Sequence, residues 1–120
     1  MNWLMVALGS ALGGVARYTC VGLVDQRLDS AFPWGTLLVN LLGSAAIGWI
    51  AGVTEHAWLD DSLRLFLMVG VLGGFTTFSA FSLQTLTLIR EGAMLPAAAY
   101  VVASVLLCLA GVAIGHGLAR

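Results

Sequence analysis

The chain has 120 residues, 60% of them hydrophobic and 9% charged, with a mean hydropathy of +0.99 and a net charge of −1. Water-soluble domains carry about 25% charged residues, so this chain cannot cover a water-facing surface and the bilayer is its expected solvent. The slight negative charge argues against nucleic acid as a partner.

Charges gather in short clusters: Asp25, Arg27 and Asp29; Glu55, Asp60, Asp61 and Arg64; Arg90 with Glu91; and Arg120. Four apolar blocks stand between them, at roughly 3–24, 34–53, 65–89 and 93–119. Each reaches the ~20 residues that a helix needs to cross a hydrocarbon core of ~30 Å. The alternating pattern of a barrel is absent, so an all-α membrane protein with four transmembrane helices in one domain, residues 1–120, is expected.

The first block opens "MNWLMVALGSALGG", without a basic leader or a plausible cleavage site, and reads as a permanent span. It contains Arg17, the one charge inside an apolar block. Its stem can snorkel to the interface, or its guanidinium can bond exposed carbonyls at a helix end. Cys20, in this block, and Cys108, in the fourth, form no CxxC pattern, so neither a disulfide framework nor a zinc site is indicated.

The second block, entered by "PWGTLLVNLLGS", carries Asn40. An amide in hydrocarbon is costly unless partnered, so Asn40 either joins two helices or faces a polar path.

The third block runs from 65 to 89 without a charge, and as a straight helix it would measure ~37 Å, more than a span requires. It contains "GVLGGFTTFSAFS". Gly73 and Gly74 each cost a helix about 1 kcal/mol relative to alanine, so a break is expected near "LGGFTTF". Unwound backbone at membrane depth survives when it is buried in protein or lines a cavity, where its carbonyls can coordinate a cation.

Phe75, Phe78 and Phe81 recur at three-residue spacing, so at least the last two project from one helix face. Electropositive ring edges can favour an anion without a buried charge; aromatic packing explains the same pattern. Thr76, Thr77, Ser79, Ser82, Gln84 and Thr85 add donors and acceptors, some of which will bond back to their own helix. In the fourth block Tyr100, Ser104 and Cys108 follow four apart, with Gly111 beyond. They form either a weakly polar track or a helix contact face. His56 and His116 sit at span ends and are assigned no role.

Every block carries two glycines four apart: Gly9 and Gly13, Gly48 and Gly52, Gly70 and Gly74, Gly111 and Gly115. Small residues let backbones approach where lipid offers no hydrophobic drive, so tight packing and an oligomer are expected. Orientation is nearly a tie. Arg64 and Arg120 fall on one side and Arg27 and Arg90, with Arg17 uncertain, on the other. No catalytic triad, metal-ligand cluster or phosphate loop is present, and no carboxylate lies within a span, so catalysis and proton coupling are not expected.

Taken together, "GGVARY", "PWGTLLVNLLGS" and "GFTTFSAFS", in this order, resemble the Fluc/CrcB fluoride-channel family over essentially the whole chain. The resemblance implies an antiparallel, dual-topology homodimer in the cytoplasmic membrane, with two passive fluoride pathways that lower cytoplasmic fluoride. It implies pathway roles for Phe78, Phe81, Asn40, Ser79, Thr77, Tyr100 and Ser104. It further implies a structural Na+ on the dimer axis, held by the carbonyls of Gly73 and Thr76, with Arg17 at the family's arginine and Gly74 in the structural break. Two positions depart from the family pattern: Ala80, where the family often has a hydroxyl, and Cys108, where a hydroxyl could continue the fourth-helix track. Two other readings compete. A small dual-topology multidrug exporter would need a glutamate in the first span, which has none; a non-transporting membrane assembly subunit would pass no ions.

Overall fold

The computed structural model describes residues 2–119; Arg120, which enters the charge tie, lies outside them. Four long helical passages make up the chain, each long and apolar enough to cross a membrane. The first is α1 (Asn2–Leu28) and the second α2 (Trp34–His56). The third passage comes in pieces: α3 (Asp61–Arg64), a π-helical stretch (Leu65–Val71), α4 (Leu72–Phe75) and, after an interruption, α5 (Ser79–Arg90). The last is α6 (Met94–Leu118). The longest dimension, 49 Å, exceeds the ~30 Å core, so the charged helix ends reach water on both sides. This is a multi-pass membrane protein.

Local chemistry sets the turns. The side chain of Asp60 accepts from the Ser62 amide at 3.0 Å and starts α3. At the end of α5, Gly92 takes a φ of +81°, Gly92 N donates to Ile89 O at 3.0 Å and Ala93 N to Leu88 O at 2.8 Å. This is the Schellman reversal that glycine permits, and Ala93 packs on the cluster containing Leu88. The chain turns at once into α6.

The glycine pairs sort the helices into two couples. A Cβ on Gly9 would lie 2.5 Å from Phe66 O and 2.9 Å from Gly70 Cα; one on Gly74 would lie 2.6 Å from Ser10 O. Thus α1 rides directly on the backbone of the π stretch and α4. In the second couple, a Cβ on Gly52 would lie 2.8 Å from His116 O, while Gly48 faces Val112 and Gly115 faces Ala45. Backbone contact of this kind substitutes for the hydrophobic drive that lipid removes.

The interruption falls at Thr76–Phe78, within the expected stretch "LGGFTTF", but the glycines are not where the helix ends. Gly73 and Gly74 remain helical in α4, and the chain leaves the helix at Thr76, φ −94° and ψ 162°. Gly74 is needed for approach to α1, whereas a Cβ on Gly73 would meet only Met68 O, at 3.9 Å. The β-branched pair Thr76–Thr77 ends the helix instead, because Thr77's backbone groups bond to a neighbouring side chain.

Replacing Gly9 by alanine should destabilise the α1 couple by about 1–3 kcal/mol, the usual cost of overpacking. Gly14→Ala, with no atom within 4 Å of the new methyl, should raise stability by up to about 1 kcal/mol, the helix preference of alanine over glycine. Thermal unfolding in detergent compares them; equal midpoints would show that the close approach relaxes freely.

Candidate functional site

Asn40 reaches from α2 to the interruption and pairs with both backbone groups of Thr77. Its Nδ2 donates to Thr77 O at 2.9 Å, and its Oδ1 accepts from Thr77 N at 2.8 Å. A continuing helix would aim that amide at the Gly73 carbonyl, so the Gly73 oxygen loses its helical donor. Thr76 N and Thr76 Oγ1 both donate to Leu72 O, at 3.1 and 3.0 Å. The Ala80 amide, the helical partner for Thr76 O, donates instead to Thr77 Oγ1 at 3.2 Å. The carbonyls of Gly73 and Thr76 are therefore released as a pair.

Arg17 answers a third freed carbonyl. Its Nε donates to Gly74 O at 3.1 Å. The guanidinium thus caps the negative end of a helix, which accounts for the one charge at that depth. Of the two options read from sequence, the helix-end bond is the one formed.

An open cavity of ≈ 450 Å³ lies beside the interruption. Phe78, Phe81 and Asn40 line it on one side, Ser104 and Cys108 on another. Phe78 stands at the N-cap of α5, its carbonyl accepting from Ser82 N at 2.9 Å, and Phe81 lies in the first turn, so the two share a face as the spacing suggests. Their rings meet at 5.4 Å between centroids. Phe78 remains 77% exposed. Phe75 stays behind on α4.

Other expected residues are distributed differently. Tyr100 is fully buried behind Phe81, with ring centroids 5.0 Å apart, and does not line the cavity. Its hydroxyl donates to Gln84 Oε1 at 2.8 Å, and Gln84 Nε2 donates to Thr36 Oγ1 at 2.9 Å. This polar line ties α6 through α5 to α2. Thr36 was missed in the sequence reading although it precedes Asn40 by four residues, one turn away on the same face. Phe32, edge-on to Tyr100 at 5.4 Å, was missed too; its loop position gave no periodic signal.

Thr77 Oγ1 and Ser79 Oγ stand 3.4 Å apart at the start of α5. Ser82 and Thr85 bond back to Phe78 O and Phe81 O, at 2.9 and 2.8 Å. Ser104 is the exception among the buried hydroxyls. At 7% exposure its Oγ has no hydrogen-bond partner, and it lines the cavity. No ionised side chain is among the lining residues. Such a wall offers an anion neutral donors and ring edges, without a counter-charge that would hold it fast.

These features define a small four-span membrane protein with a broken third passage and a neutral, aromatic-walled cavity. The chain belongs to the CrcB family: the family described as "CrcB-like protein, Camphor Resistance (CrcB)" matches residues 4–116. Among its relatives is a protein of Rhodospirillum centenum, 54% identical over 98% of this chain and 94% of its own length. Another, from Rhodospirillum rubrum, is 51% identical over 97% of this chain and 92% of its own. A third, from Methylocella silvestris, is 46% identical over 97% and 91%. All three bear the name "Fluoride-specific ion channel FluC".

Asn40→Asp keeps the shape but, ionised, offers only acceptors, so Thr77 O loses its donor. The expected cost is about 1–3 kcal/mol, and Asn40→Leu, which abandons both backbone groups, should cost more. Thermal unfolding in detergent measures both. Parent-like midpoints in the two variants would mean that the pairing contributes nothing to stability.

Proposed function

We propose that this chain is a fluoride-selective channel that lets fluoride leave the cytoplasm passively, and that it works as an antiparallel homodimer. The observation that carries the reading is the cavity wall: two facing phenyl rings and an unpartnered, buried serine hydroxyl, with no ionised side chain among the lining residues. Relatives bearing the channel name over nearly the whole chain support it. A proton-coupled multidrug exporter would need a titratable acid in the membrane, and α1 has none between Asn2 and Val24.

Phe78 and Phe81 offer ring edges to the dehydrating anion, and Ser104 offers a hydroxyl proton. Asn40 retains one amide proton beyond the one given to Thr77 O, directed by the same clamp. Thr77 and Ser79 add hydroxyls at the entrance to α5. Tyr100 acts from behind, fixing the Phe81 ring and the Gln84 amide.

The carbonyls of Gly73 and Thr76 suit a sodium ion: they are neutral oxygen donors released from helical pairing on one short segment. A sodium ion bound there would add positive charge that holds the interruptions of two subunits together. Arg17 already occupies the adjacent Gly74 carbonyl, which leaves Gly73 and Thr76 for the ion. The open cavity and the exposed Phe78 give a second copy a surface to cover. The arginine tie lets copies insert in both orientations, and an antiparallel pair closes on itself around an axis in the membrane plane.

Liposomes containing only this protein should release fluoride and retain chloride. Each ring edge, at about 1 kcal/mol, implies a fivefold to tenfold fall in fluoride efflux for Phe78→Ile or Phe81→Ile. Unchanged efflux in both variants would reject the aromatic role, and no efflux from the parent would reject the channel.

Topology is read from a full chain with Cys20 and Cys108 replaced and Asp60→Cys added. An impermeant thiol reagent outside intact cells should label about half of the protein. Labelling of all of it, or none, would exclude dual insertion.

A further inference from the structure

The neutral donors of the cavity do not end at Asn40 and Ser104. The packing of α2 on α6 fixes the register between these two helices. A Cβ on Gly52 would lie 2.8 Å from His116 O, and one turn earlier Gly48 faces Val112. The step is four residues on each helix. Carried back, the same register sets Ser44 level with Cys108, and then Asn40 level with Ser104. All four line the cavity. The two helices thus run in the same direction and present two polar rungs, one turn or ~6 Å apart.

The Ser44 hydroxyl is also free. Exposed Thr19 and Thr87 donate back to the carbonyls of Val15 and Leu83, at 2.9 and 3.0 Å, the usual way to satisfy a hydroxyl in hydrocarbon. Half-buried Ser44 makes no such bond among the described residues, and neither does Ser104. Both cavity serines on these helices therefore keep a proton for what enters. On the second rung the Cys108 thiol is a weak donor, so Ser44 is its one strong donor. Past that rung the lining turns apolar, with Ile47 on α2 and Leu109 on α6.

We propose that Ser44 donates its hydroxyl proton to the passing anion and, level with Cys108, forms a second station one turn beyond Asn40 and Ser104. The inference rests on the fluoride-channel reading and adds a residue to its path. Without Ser44, an anion leaving the first rung would meet carbon and a weak thiol, and a small ion stripped of water would be stranded there. A neutral hydroxyl receives the ion without trapping it, which is what conduction through successive sites requires.

Fluoride efflux from liposomes, read beside thermal unfolding in detergent, tests the station. Ser44→Ala should lower efflux by about tenfold or more, the loss of one hydrogen bond to a charged group. Its unfolding midpoint should stay at or slightly above the parent's, since alanine favours the helix. Ser10→Ala removes another half-buried, unpartnered hydroxyl, on α1 outside the cavity, and should conduct like the parent. The Ser44→Ala, Cys108→Ser protein moves the hydroxyl across to α6 at the same level. Its efflux should recover to within about threefold of the parent's. Parent-like efflux in Ser44→Ala overturns the station, and so does an equal fall in Ser10→Ala. A midpoint that drops together with efflux in Ser44→Ala makes the residue structural and overturns it as well. Failure of the double variant to recover overturns the shared level with Cys108. A parent that passes no fluoride sinks the channel reading itself, and the station with it.

Discussion

A side-chain amide at membrane depth and an interrupted backbone are each costly in hydrocarbon, and here each removes the other's cost. Asn40 presents one donor and one acceptor, and Thr77 presents the complementary pair. Because Thr77 N is taken, the helix cannot continue, and because it cannot continue, Phe78 swings out of it. The direction of α5, the release of the Gly73 and Thr76 carbonyls and the exposed phenyl ring all follow from this one exchange.

Around it the molecule divides its labour. Two helix couples, α1 with the π stretch and α4, and α2 with α6, are joined backbone to backbone through glycine. Each couple also holds a polar contact, Arg17 Nε to Gly74 O in the first and His116 to Glu55 in the second. Further polar contacts run across the couples: Asn40 to Thr77, and Tyr100 through Gln84 to Thr36. Gly43 completes the junction, where a methyl would strike the Thr76 side chain. Rigid couples with polar crosslinks suit a path that must hold its shape while a small ion loses water.

Much of this was legible in the residues. Long uncharged blocks bounded by charge clusters gave the four passages, and the paired glycines gave tight packing, because both signals follow from the lipid solvent alone. The stretch of the interruption, "LGGFTTF", was legible, but not that its glycines stay helical. Glycine marks both weak helix and close approach, and Gly74 serves the second purpose through Ser10 on α1, a partner 64 positions away. The π stretch was likewise silent, since its sequence "LFLMVGV" has ordinary helical composition. Tyr100 was placed on a track by its four-residue spacing with Ser104 and Cys108. Burial against Phe81 withdrew it, and spacing along one helix cannot report what stands in front of a side chain.

The glycine reversal at Gly92 also bears on the order in which the molecule is assembled. Phe81, Gln84 and Tyr100 all belong to the α5–α6 hairpin, and the hydrogen bond between Gln84 and Tyr100 spans only 16 residues. Closing so short a loop costs little entropy. The aromatic wall is therefore a local product of one hairpin, while Asn40 and Thr77 meet across 37 residues. During synthesis from the N-terminus, Asn40 enters the bilayer before its partner exists. The amide waits unpaired until the third passage arrives, and the wall follows when the last helix folds back upon it.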